Sequence, residues 1–185
     1  MDAVRAAFRA CPREGFLPPD EQWHASYDGP LPIGHGQTNS QPHTVEDMLR
    51  LLDVRPGDRV LDVGAGSGWS TALLAHLTGP TGVVVGVERV AELVPFGAAN
   101  LAATGQPWAS IRQADRGVLG WPAEAPYDRI LVSAESSVLP RELTDQLADG
   151  GRMVVPVAGV MLLVVRAGDE LTVTHHGYYR FVPLL

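Results

Sequence analysis

Three groups of residues in this 185-residue chain have the types and spacing for chemistry. Asp62 precedes Gly64, Gly66 and Gly68, with Ala65 between the first two glycines. Glycines at every second position let a backbone approach a ligand closely, and a helix beginning just after them offers unpaired N–H groups. No Lys-Ser or Lys-Thr follows, so the turn is not a phosphate loop for nucleoside triphosphates. A carboxylate at Asp62 would repel a pyrophosphate and suits a cationic or amino-bearing ligand. Glu88 ends the next apolar run, 82–87, 26 residues after Asp62. At the tip of a neighbouring strand it can accept hydrogen bonds from ribose hydroxyls. The third group is Thr38, Ser40 and His43, in a polar loop that leads into a helix. Hydroxyls and free N–H groups at a helix start can form a carboxylate-binding site. Simpler uses of these residues are a purely structural glycine turn and an ordinary helix cap, with Ser40 or Gln41 near the start and Pro42 in the first turn. A nicotinamide dinucleotide is the rival ligand for the glycine turn.

The elements that must position these groups are legible in the hydrophobic spacing. Residues 60–63 form a short buried strand and 70–77 the helix after the glycines. The β-branched run 83–87 suits a strand covered on both faces. Further strands are expected at 109–113, 129–133, 153–157, 160–165 and 171–176, and helices at 1–11, 20–25, 45–52, 91–103 and 140–147, the last closed by Gly150 and Gly151. Strands alternating with helices at this spacing mean a doubly wound, mostly parallel α/β sheet whose far edge turns antiparallel. Residues 34–44 are expected to be a loop. About 40 N-terminal residues without strong periodicity suggest a lid or binding segment. The chain is expected to be one domain, 1–185, with a substrate-side segment 1–44 and a cofactor-binding core 45–185.

Composition removes several classes. A net charge of -7 argues against a nucleic-acid groove, which needs a basic stripe. No apolar run is long enough to span a membrane, and no secretory signal is visible. The single cysteine, Cys11, cannot form an internal disulfide and is best explained by packing. No Cys, His and Asp cluster has metal-ligand spacing, so no metal is expected.

The glycine turn with Asp62 and Glu88 is similar to the S-adenosylmethionine site of class I methyltransferases. Over nearly its full length the chain resembles the protein-L-isoaspartate O-methyltransferase family. The resemblance rests on Cys11-Pro12-Arg13-Glu14, Phe16-Leu17-Pro18, Tyr27-Asp28, the run from Pro30 to Thr38, Ser40 and Pro42-His43. It continues through Asp62 to Gly68, Gly120-Trp121-Pro122, Ala125 to Asp128 and the ending Arg180-Phe181-Val182-Pro183-Leu184. It implies a Rossmann-like sheet of seven strands with an N-terminal extension. The implied reaction transfers a methyl group from S-adenosyl-L-methionine to the α-carboxylate of L-isoaspartyl residues, leaving S-adenosyl-L-homocysteine. By the same resemblance Ser40, Thr38 and His43 would handle the acceptor. Asp62, Gly64, Ala65, Gly66, Gly68, Glu88, Arg89, Asp115 and Arg116 would hold the cofactor. Isoaspartyl peptides or unfolded protein segments would be the partners of a cytoplasmic monomer. The chain departs from the family's usual Thr-Ile-Ser at Thr38-Asn39-Ser40, from Gly-Asp-Gly at Ala114-Asp115-Arg116, and from a run of small residues at 133–137. Asn39, Arg116 and Glu135 would border the cleft. They leave open another carboxylate acceptor, such as a biosynthetic peptide aspartate or a small acid. A binding module without turnover is the non-enzymatic alternative.

Overall fold

The computed structural model describes residues 2–184. Its elements are α1 (Ala3–Ala10), β1 (Leu31–Gly34), β2 (Gln37–Asn39), α2 (Pro42–Leu52), β3 (Arg59–Val63), α3 (Trp69–Thr78), β4 (Val83–Glu88), α4 (Leu93–Ala102), β5 (Ala109–Gln113), β6 (Tyr127–Val132), α5 (Arg141–Thr144), β7 (Leu147–Val157), β8 (Val160–Ala167) and β9 (Glu170–Tyr178). The main sheet has seven strands in the order β5-β4-β3-β6-β7-β8-β9. The five strands from β5 to β7 run parallel, and β8 and β9 add antiparallel. From β3 the chain first winds outward through β4 and β5, then returns to place β6 on β3's other side. That reversal opens a crevice at the carboxyl ends of β3 and β6, the place where such sheets bind ligands.

β3 is buried on both faces, and its side chains divide accordingly. Val60 joins one core with α1, α2, α3 and Leu101 of α4, while Leu61 and Val63 join another with Ile130, Val132, Met153 and Val155. Asp62 shares the face of Val60, towards α3, where Ser70 and Thr71 reach it. In α2 the buried residues Val45, Met48, Leu49 and Leu52 form one stripe at helical spacing. Pro42 stands in its first turn, where its missing N–H costs nothing. The N-terminal residues Val4, Ala7, Cys11 and Phe16 pack into the same core as α2 and α3.

Three expectations fail locally. Residues 34–44 are not all loop, because β1 and β2 form a hairpin turning through His35 and Gly36, both at positive φ. Leu31 and Ile33 do alternate inward, but Pro32 and Gly34 conceal the strand in the sequence. The helix at 140–147 is only α5, and Gly150 and Gly151 lie inside β7 instead of closing it. Leu147 already pairs with Tyr127 of β6, and the Gln146 side chain is held by Trp121 N–H and the Leu119 and Glu142 carbonyls. The chain is therefore drawn into the sheet before a further helical turn can form. The helix at 20–25 is one 3-10 turn, Gln22–His24. Among the described residues no helix is long and apolar enough to cross a membrane.

Candidate active site

The glycine turn is held by backbone contacts. Gly64 N–H and Ala65 N–H both bond the Val87 carbonyl, tying the turn to the end of β4. Gly64, Gly66 and Gly68 all have positive φ. A Cβ on Gly68 would lie 2.7 Å from the Gly97 carbonyl oxygen, and one on Gly97 would lie 2.6 Å from the Gly66 oxygen. α4 thus rests directly on the turn, and neither position tolerates a side chain. Gly97, inside the expected helix 91–103, is a site-building residue that the sequence reading missed, although a glycine within a helical pattern signals close approach.

Asp62 is fully buried. Its Oδ2 accepts hydrogen bonds from Ser70 Oγ and Thr71 Oγ1, each at 2.7 Å, while Oδ1 is buried with no partner. Burial pushes the Asp62 carboxyl up to about 6, against the pull of Thr71 and Ser70, and the charge of Glu88 adds to the rise. Glu88, at the tip of β4, is 6% exposed. Its oxygens accept from Gly66 N–H and Val90 N–H, both at 2.8 Å. Glu88 therefore braces the glycine turn from the tip of β4. Arg89 and Asp115 are exposed near the ends of β4 and β5, with Ala114 N–H bonded to the Glu88 carbonyl. Arg116 is exposed one residue further.

Opposite the turn lies the hairpin. A narrow cavity of about 30 Å³ has Thr38 and Ser40 on one wall, Gly64 and Ser70 on another, and Ser133 beyond the end of β6. Among the described residues the Ser40 hydroxyl has no hydrogen-bond partner, although it is half-buried. It is not the cap of α2. Gln41 holds that position, and the first free N–H, that of His43, donates to Asp28 Oδ1 at 3.0 Å. That bond holds the Asp28 carboxyl below its ordinary range, with Gln41 assisting. Asp28 thus occupies the His43 N–H, which is not among the free N–H groups of this helix start. The His43 imidazole is exposed, with Nε2 3.7 Å from Asp47 Oδ2 one turn along α2, and it is not in the cavity wall. Helical spacing aims it along its own helix instead of into the cavity.

Arg13 organises this side and had no assigned role in the sequence. Its guanidinium, 6% exposed, donates to Asn39 Oδ1 and to the carbonyls of Tyr27, Gly29, Asn39 and Ser40. Burial pulls it down to about 10, while Asp28 works the other way. Asn39 is 4% exposed and committed to Arg13 and to Ser67, so this departure is part of the frame. Glu135 is tied by backbone bonds to Val182 and Leu184, which brings the C-terminal segment beside the end of β6.

The residues fit a sulfonium nucleoside with an amino acid tail. Orphaned Asp62 Oδ1 calls for a donor, the glycine cradle excludes side chains, and Glu88 offers carboxylate oxygens at the strand tip. Among the described residues no three His, Cys, Asp or Glu side chains gather as a metal site requires.

The family profile described as protein-L-isoaspartate(D-aspartate) O-methyltransferase matches residues 1–185. The chain belongs to this family. Among isoaspartate methyltransferases, it is 46% identical over 188 residues to that of Methanopyrus kandleri, covering 98% of this chain and 83% of the relative. It is 44% identical to that of Methanothrix thermoacetophila, covering 100% of this chain and 88% of the relative. A Plasmodium falciparum structure of the same family name, in complex with S-adenosyl-L-homocysteine, superposes with a TM-score of 0.87 at 27% identity, covering 100% of this chain and 91% of that one. The isoaspartate methyltransferase fold thus accounts for the seven-stranded sheet and for the N-terminal segment that faces it.

Proposed function

We propose that this chain transfers the methyl group of S-adenosyl-L-methionine to the α-carboxylate of L-isoaspartyl residues in damaged proteins. The observation that carries this reading is the shared cavity, which Thr38 and Ser40 line together with Gly64 of the glycine turn and Ser70. When bound, the cofactor supplies a sulfonium methyl that a carboxylate can attack without further activation. The chain's residues then have positioning to do and little else. Asp62 would receive the amino group, Glu88 the ribose hydroxyls, and the 64–68 backbone the nucleoside, with Arg89, Asp115 and Arg116 on the outer side. Ser40 would donate to the acceptor carboxylate, with Thr38 beside it. No base is needed, because a carboxylate is ionised at neutral pH.

Another carboxylate acceptor was suggested by Asn39 and Arg116. Asn39 is buried in the Arg13 and Ser67 frame, and Arg116 is exposed beyond β5, which favours the family's own acceptor. The decisive test is methyl transfer to matched peptides carrying isoaspartate, aspartate or no acidic residue. Activity confined to the isoaspartyl peptide supports the proposal, and equal activity on the aspartyl peptide refutes it. The resemblance further implies a cytoplasmic monomer; sedimentation checks the oligomeric state and cell fractionation the location.

A further inference from the structure

Asn39 joins two halves of the site. Its Oδ1 accepts Arg13 Nε–H at 2.7 Å and its Nδ2 donates to Ser67 Oγ at 3.0 Å. The amide cannot be turned round without loss, because a guanidinium only donates. Ser67 is 3% exposed and stands between Gly66 and Gly68, with its carbonyl bonded to Asn100 Nδ2. Gly66 N–H is in turn bonded to Glu88. On the other side Asn39 stands between Thr38 and Ser40, and Arg13 grips the carbonyls of both Asn39 and Ser40. Among the described residues the Asn39–Ser67 bond is the one hydrogen bond between residues 31–41 and residues 62–70.

We propose that Asn39 is a positioning residue that transmits the state of the glycine turn to the acceptor loop, so that cofactor and acceptor bind cooperatively. A ligand that settles on the turn fixes Ser67. Ser67 fixes the amide, and the amide, with Arg13 behind it, fixes the strand that carries Ser40. By reciprocity the acceptor tightens the cofactor by the same factor. The inference rests on the functional reading above, but its first test needs no acceptor.

Hydrogen exchange at amides 37–41 is followed with and without saturating S-adenosylhomocysteine in the parent, Ser67→Ala and Asn39→Asp. The ligand slows exchange about fivefold or more in the parent. Ser67→Ala removes the slowing, and Asn39→Asp retains it, since a carboxylate accepts from both Arg13 and the Ser67 hydroxyl. Slowing that persists in Ser67→Ala, or that is absent in the parent, overturns the proposal. A merely structural bond would lower the melting temperature of Ser67→Ala and leave the ligand response intact. The affinity of an isoaspartyl peptide, measured with and without S-adenosylhomocysteine, should change about fivefold in the parent and hardly at all in Ser67→Ala. A parent that shows the exchange response but binds no such peptide would refute the acceptor assignment and leave the coupling standing.

Discussion

Ser40→Ala separates the two uses of a hydroxyl at the start of a helix. A helix cap replaced by alanine costs about 1 kcal/mol of stability. Here the cap position belongs to Gln41, Asp28 holds the His43 N–H, and among the described residues the Ser40 hydroxyl makes no hydrogen bond. The substitution therefore removes no intramolecular bond, and stability should stay within about 0.5 kcal/mol of the parent. The Ser40 carbonyl, which Arg13 holds at 3.0 Å, is unaffected. Turnover should behave differently. A hydrogen bond to a charged carboxylate is worth about 1.5–3 kcal/mol, which corresponds to a loss of about 10- to 150-fold in kcat/KM. The assay measures methyl transfer to an isoaspartyl peptide, S-adenosylhomocysteine affinity and thermal unfolding on one preparation. Asp28→Ala serves as the counterpart, expected to lower the melting temperature clearly more than Ser40→Ala. Parental turnover in Ser40→Ala, with a melting temperature as low as that of Asp28→Ala, would refute the clamp and return Ser40 to the cap.

Asp62 should give cofactor binding a pH dependence. The folded chain holds its proton more tightly than the unfolded chain, so its contribution to stability declines as pH rises from 3.8 to about 6. An amino group bound beside it needs the ionised form. S-adenosylhomocysteine affinity should therefore fall by up to about tenfold per pH unit below about 6 and be flat in Asp62→Asn, and calorimetry across that range showing no parental slope would contradict it. Glu88→Ala should raise the S-adenosylhomocysteine dissociation constant by about one to two orders of magnitude. It should also lower the melting temperature, because Gly66 and Val90 lose their acceptor; titration and melting read the two effects, and an unchanged affinity removes Glu88 from the site. Arg13→Met leaves five acceptor contacts unmet and should cost about 2–4 kcal/mol, with faster proteolysis of residues 13–40. Arg13→Lys should not rescue it, since one ammonium cannot span the same acceptors; denaturant melts that match the parent's would show the cluster to be dispensable.

The parallel core was legible because its signals are local. Val60, Leu61 and Val63 read as a short buried strand and the β-branched run 83–87 suits one covered on both faces, and the glycine turn lies between them in the order that makes a crevice. The β1–β2 hairpin was hidden because two of its seven or so residues are a proline and a glycine, which erase the alternation that Leu31 and Ile33 would have shown. The failed helix at 140–147 has a different cause. Its composition suits a helix, but pairing with β6, the preceding strand, prevails. In the site, glycine spacing announced the turn, and Asp62 and Glu88 stood at readable offsets. Arg13 and Asn39 could not be read this way. Their meaning lies in contacts across 26 residues to each other and 28 residues to Ser67, and nothing in local spacing announces those.

The seat of α4 on the glycine turn has an evolutionary consequence. Gly68 and Gly97 touch through main-chain atoms, so no pair of larger residues can exchange volume between them. A contact of that kind leaves no compensatory record: both positions are barred from drifting, and two positions that never vary cannot vary together. Methods that infer proximity from correlated substitution would pass over the contact on which the glycine turn rests. A saturation mutagenesis screen would find it at once, as two intolerant glycines 29 positions apart whose defects no second substitution repairs.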